Sequence, residues 1–109
     1  LIDDLKPSLL KLEYPGSPEA CKRLASRLTV PWAVLSAGVS SDEFAKVLRV
    51  SCDEGGASGF IAGRAIWKET VAMGHDERVK FLSETGRRRM DEYVSIIEGR
   101  ARPYQEAVA

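Results

Sequence analysis

A lysine in "LLKLE" and two apolar runs that end in glycine, "VLSAGV" and "GFIAGRAIW", carry the chemistry this sequence can offer. Lysine is depleted in strand interiors, so Lys11, inside the mostly apolar stretch 8–15, needs a reason. As an edge-strand charge it would block unwanted pairing. Pointed into an enclosed, water-poor cavity, a lysine can hold a free amine that attacks a carbonyl. On pattern alone the edge-strand reading stands first. Each of the two runs brings a short apolar strand to small residues and then to a helical pattern. Backbone N–H groups at such a place can point at an anion, and glycine lets the backbone come close to it. Ser36 adds a hydroxyl and Arg64 a charge-assisted fork. Gly38 and Gly63 are the expected approach points. Either motif alone reads as an ordinary turn with a solvated arginine. Two of them on consecutive strands tilt the reading toward a phosphate site.

These residues need elements to hold them. Strands are expected near 8–14, 31–37 and 59–63. In the first, alternation puts Leu10, Leu12 and Tyr14 on one face and Leu9, Lys11 and Glu13 on the other. The second, "PWAVLSAG", is apolar on both faces, as a parallel strand covered on two sides would be. Ser17 is an N-cap and Pro18 a first helical residue, which predicts a helix over about 18–28. Ser40 and Glu43 have capping-box spacing, so the next helix should start near Ser41. Its end falls at Gly55 or Gly56, either of which can take the left-handed conformation. A short helix over 64–73 should close at Gly74. A long amphipathic helix is expected over 76–99, with Val79, Leu82, Gly86, Met90, Tyr93, Val94 and Ile97 on its apolar stripe. Pro103 should then end regular structure.

Strands that recur about every 25 residues and alternate with helices imply a parallel sheet with right-handed crossovers. Each unit has the size of one βα unit of a (β/α)8 barrel, which takes about 250 residues in all. The fold class is therefore α/β. Residues 1–109 are expected to be the carboxyl-terminal part, about three βα units, of a single TIM-barrel domain with outer helices. The leucine start agrees with a segment of a longer protein. In such folds function lies at the carboxyl ends of the strands, where both glycine motifs fall.

Sixteen basic and sixteen acidic residues cancel. That argues against a general nucleic-acid or membrane-surface binder. No apolar run approaches the roughly 20 residues that span a bilayer. Cys21 and Cys52 have no metal-type spacing and read as buried free thiols of a reducing cytosol. The single histidine, His75, reads as a helix-start residue, so no zinc site is expected. Trp32 and Trp67 read as packing residues, Glu13 as part of a buried polar pair, and "RRRM" (87–90) as a solvated face.

"LLKLEYPG", "PWAVLSAGVSSDEF", "GASGFIAGRAIWKE" and "GRARPYQE" together resemble the carboxyl-terminal third of class I aldolases of the tagatose-1,6-bisphosphate aldolase type, and the related sulfofructosephosphate aldolases. The resemblance runs over nearly the whole chain. It implies a (β/α)8 barrel working through a Schiff base, with no metal or other cofactor. Lys11 matches the family's Schiff-base lysine, with Leu12 in place of the usual valine. Ser36, Gly38, Gly63 and Arg64 match the residues that hold the substrate phosphate. The implied substrate is a ketose phosphate or bisphosphate, cleaved in the cytoplasm to dihydroxyacetone phosphate and a triose phosphate aldehyde. The implied partners are the missing N-terminal barrel strands, with a homo-oligomer as a further possibility; the isolated segment is expected to be inactive. Two readings stand beside it: a different phosphate-binding barrel enzyme with Lys11 only structural, and a non-catalytic half-barrel that assembles through its open sheet.

Overall fold

A computed structural model gives the fold for Leu5 and residues 7–107. The expected domain span reaches beyond this at both ends, since residues 1–4, Lys6, Val108 and Ala109 lie outside the described residues. The elements run β1 (Leu10–Glu13), α1 (Pro18–Arg27), β2 (Trp32–Leu35), α2 (Ser41–Asp53), β3 (Gly59–Ile61) and α3 (Arg64–Trp67). A 3₁₀ turn (Lys68–Ala72) leads to one long helix, made of α4 (His75–Phe81), a π turn (Leu82–Gly86) and α5 (Arg87–Ile97), and then to α6 (Tyr104–Ala107). The three strands form one parallel sheet in the order β1-β2-β3. The architecture is α/β and compatible with part of a TIM-barrel-like fold.

The helix starts follow from their caps. The Ser17 hydroxyl accepts the Ala20 N–H at 3.1 Å, and the Ser40 hydroxyl accepts the Glu43 N–H at 3.2 Å. Each satisfies a donor that the first helical turn leaves open. Gly56, at φ +63°, carries the chain out of α2. The strands are shorter than the apolar runs suggest. β2 stops at Leu35 because the chain turns at once: Ala37 and Gly38 both have positive φ, and the Val39 N–H donates back to the Ser36 carbonyl at 3.1 Å. The expected helix over 64–73 is only four residues of α-helix followed by the 3₁₀ turn. Pro103 does not end regular structure; its carbonyl accepts the N–H groups of Glu106 and Ala107 and so starts α6.

Alternation along the strands gives the sheet two unlike faces. Leu10, Leu12, Trp32, Val34 and Phe60 point at the helices and join one core with Phe44, Leu48, Cys52, Tyr93 and Ile96. Phe44 packs edge-on to Tyr93 and Phe60, with ring centroids 5.1 and 6.2 Å apart. The register pairs Lys11 with Ala33 and Gly59, and Glu13 with Leu35 and Ile61, on the opposite face. None of these belongs to the core cluster.

Two expectations about the long helix change. Its apolar stripe is only partly buried: Gly86 and Tyr93 are inside and Ile97 is half-buried, while Val79, Leu82, Met90 and Val94 are exposed, and Ile96, outside the expected stripe, is buried instead. The π turn shifts the buried face partway along the helix, because the Arg87 N–H reaches back to the Leu82 carbonyl and takes up one extra residue. The "RRRM" run is not uniformly solvated either. Arg87 and Arg88 are exposed, but Arg89 folds inward. Its guanidinium donates to the Ala65 and Ile66 carbonyls at 3.2 and 3.1 Å and grips both carboxylate oxygens of Glu69. It so ties α5 to α3.

Candidate active site

Lys11 is the middle of the exposed face of β1. It is flanked by Leu10 and Leu12, which the helices cover, so its own side chain stands on the face that no described helix covers. Glu13 stands on that face too, one pleat toward the carboxyl end. It is exposed and has no ion-pair partner among the described residues, so the buried polar pair expected for it is not there. Tyr14 faces the helices and packs on the core, as its parity requires. Burial first, and then nearby acidic groups, push its phenol pKa up.

The carboxyl ends of β2 and β3 carry the two glycine motifs side by side, since Leu35 pairs with Ile61. Gly38 sits at φ +79° against the side chain of Arg64. A Cβ built on it would lie 2.8 Å from Cζ and 2.9 Å from Nη1 of the guanidinium. The absent side chain at Gly38 is thus the space Arg64 occupies. Arg64 is exposed and has no hydrogen-bond or ion-pair partner among the described residues. Ala37, just before, holds φ +52°, a conformation that costs a non-glycine residue about 1–2 kcal/mol. Strain of this kind gathers where a loop is shaped for a ligand.

Ser36 lies on the other side of that turn. It is almost fully buried. It lines a cavity of about 190 Å³ with Glu13, Tyr14, Leu35, Val39 and Glu43. Arg64 instead lines a polar cleft of about 350 Å³ with Ser40, Ser41, Lys68, Arg88 and Glu92. The structure therefore brings Gly38 and Arg64 together, places Gly63 at the head of α3, and sets Ser36 in the neighbouring cavity with Glu13. α3 is too short to carry much of a helix dipole, so attraction for an anion here has to come from side chains. Lys68 and Arg88 add positive charge at the cleft, and Asp42, Glu69 and Glu92 negative charge. Lys68 was not singled out by the sequence, and Arg88 reads there only as part of the solvated "RRRM" face. Lys68 follows Arg64 by one helical turn, a spacing that could have marked it. Arg88 comes from a distant helix and had no local signal.

The cleft floor is held by two polar contacts. The Tyr93 hydroxyl lies 2.7 Å from that of Ser41. The Arg89 guanidinium holds the Glu69 carboxyl down at about 2, mainly through their hydrogen bonds. The two cysteines are free and buried. Burial pushes the Cys52 thiol up to about 11, which keeps it protonated and unreactive.

A family model described as DeoC/LacD family aldolase matches residues 5–69, more than half of the chain. The chain belongs to the DeoC/LacD aldolase family. This is a class I aldolase-type family, and the matched stretch runs from before β1 through α3. It contains Lys11, Ser36, Gly38, Gly63 and Arg64. The long helix falls outside it. Among the described residues no helix is long and apolar enough to cross a membrane.

Proposed function

We propose that this DeoC/LacD family chain carries the Schiff-base lysine and the phosphate grip of an aldolase that cleaves a ketose phosphate or bisphosphate, of the tagatose-1,6-bisphosphate kind. The observation that carries the reading is the position of Lys11. It stands on the face of the sheet away from the helices, while Arg64 rests on Gly38 at the carboxyl ends of the neighbouring strands. A barrel would put both inside its mouth.

In this reading the Lys11 amine attacks the substrate ketone, and the carbinolamine loses water to give an iminium. The bond between the two carbons beyond it then breaks. Its electron pair flows to the iminium nitrogen and leaves an enamine, so the iminium does the work of an electron sink without a metal. The hydroxyl on the departing carbon gives up its proton and becomes an aldehyde, which is a triose phosphate where the substrate is a bisphosphate. The enamine carbon takes a proton, and water releases dihydroxyacetone phosphate and the free amine. Arg64, with Gly38, Gly63 and the Ser36 hydroxyl, holds the phosphate so that the ketone meets the amine. Positioning of this sort can supply several kcal/mol of a barrier, about 7–11 in the best cases. The base that takes the hydroxyl proton is not one of these five residues. We place it on further βα units that close the sheet into a barrel, in a cytoplasmic enzyme. A second copy covering the open face is the alternative, favoured by the exposure of Leu9 and Ile61 there.

Borohydride reduction of the full-length protein with dihydroxyacetone phosphate tests the assignment. The expected result is a stable adduct on Lys11, absent from Lys11→Ala. An adduct on another lysine, or none, rejects it. Sedimentation of the same protein at low concentration separates a closed monomer from a paired one.

A further inference from the structure

α3 presents Arg64, and it cannot hold itself in place. It has four helical residues, and so short a helix is not stable on its own. Gly63 at its head offers no side-chain cap. Ala65 is buried and Ile66 packs against the core, which holds the helix down. Trp67, read from the sequence as packing, is 41% exposed and adds little.

Its direction is fixed from the long helix. The Arg64 carbonyl accepts the Lys68 N–H, and the Trp67 carbonyl accepts the Thr70 hydroxyl at 2.6 Å. The carbonyls between them, of Ala65 and Ile66, both take Nη1 of Arg89. The same guanidinium grips Glu69 just past the helix and lies over the Phe81 ring, 5.3 Å from its centroid. The Arg89 side chain is 17% exposed. The planar fork of an arginine can serve carbonyls and a carboxylate at once, which the point charge of a lysine does not. Further along, Arg78 donates to the Thr70 and Met73 carbonyls at 3.3 and 3.0 Å. Two arginines of the long helix are thus spent on the backbone of 65–73. Arg64, which that backbone carries, has no partner among the described residues.

We infer that Arg89 is a positioning residue for the phosphate grip: it sets the direction of α3, and through it the placing of Arg64. This rests on the phosphate reading of Arg64 given above. Arg89 lines the same cleft as Arg64, but its donors are taken by the protein, so it acts on the ligand only through α3. The seat of Arg64 is narrow. A Cβ on Gly38 would meet its guanidinium at 2.8 Å, so a small turn of α3 takes Arg64 out of place. In a site that works by positioning, a displacement of about 1 Å is felt strongly.

The test measures binding of inorganic phosphate to the full-length protein by calorimetry, in a double-mutant cycle of Arg64→Lys and Arg89→Met. Arg89→Met alone should weaken binding about tenfold, the worth of one hydrogen bond to a charged group. Arg64→Lys should weaken it too, yet keep a charge, so binding stays measurable. On that background Arg89→Met should have little further effect, because a flexible lysine does not depend on the direction of α3. Arg89→Lys, which keeps the charge without the fork, should behave as Arg89→Met does and replaces it should the methionine variant not fold. Full binding in Arg89→Lys would show that only the charge matters and overturns the inference. So does an Arg89→Met effect that is absent, or equally large with Arg64 and with Arg64→Lys. In those cases weaker binding in Arg64→Ala keeps the phosphate reading alive without Arg89. If Arg64→Ala binds phosphate as well as the parent, both fall together.

Discussion

The two faces of the three-stranded sheet have been given opposite tasks. On the helix side, Leu10, Leu12, Trp32, Val34 and Phe60 are closed over by α2 and α5 and make one continuous core. On the other side, Lys11, Glu13 and Ile61 are exposed, although they are the immediate chain neighbours of core residues. A strand thus changes chemistry at every residue, and one strand can serve both stability and reaction. What differs is what a substitution costs. On the covered face the cost falls on folding, through lost burial and the cavity left behind. On the open face, where we propose the reaction takes place, it falls on catalysis, because little packing is lost.

That contrast can be broken by experiment. Lys11→Ala should lower aldol cleavage by the full-length protein about a thousandfold or more, as loss of a nucleophile does, while folding stability moves by less than about 0.5 kcal/mol. A variant that loses stability instead would place Lys11 in a packing role. Phe44→Ala is the counterpart. Phe44 is fully buried between Tyr93 and Phe60, so urea unfolding should show a loss of about 3–5 kcal/mol. Tyr93→Phe is a finer probe. It keeps the ring and removes only the hydroxyl's hydrogen bonds to Ser41, and should cost about 1 kcal/mol.

The smallest effect is a dependence on pH. Glu69 has a carboxyl held at about 2, against an ordinary 4.5, by hydrogen bonds from Arg89. The folded state therefore favours the ionised form. The resulting stabilisation is complete above about pH 4.5 and is lost as the pH falls toward about 2,. Glu69 is nearly half exposed, so solvent limits the contribution to under about 1 kcal/mol. Glu69→Gln should flatten the stability curve in that acid window and lower it by under about 1 kcal/mol near neutrality, where the ionised carboxylate is the stabilising form. Thermal melts at stepped pH would show it.

Local rules made much of this legible in the sequence. Ser17 and Ser40 announce their helices because a cap involves only the next three residues. The facing of Lys11 and Tyr14 follows from strand alternation alone. What escaped was non-local or ran against residue type. Arg89 looks like one arginine of three, and only partners 20 to 24 residues back, Glu69 and the Ala65 and Ile66 carbonyls, distinguish it. Trp67 sits at a spacing that reads as core, and nothing nearby in sequence says that its ring lies over Gly63. Ala37 at φ +52° carries no signal, since alanine does not favour that conformation,. Resemblance supplied the family, and with it a motive for Lys11 that pattern alone did not give.

The π turn at Leu82–Gly86 also sets the phase of everything after it. Were the same residues wound as an uninterrupted α-helix, the downstream half would be rotated by about 100°. Tyr93 and Ile96 would swing out of the core, and Arg89 would be carried away from the carbonyls it holds. One surplus residue thus acts as the timing mark that aligns the end of the chain with its beginning.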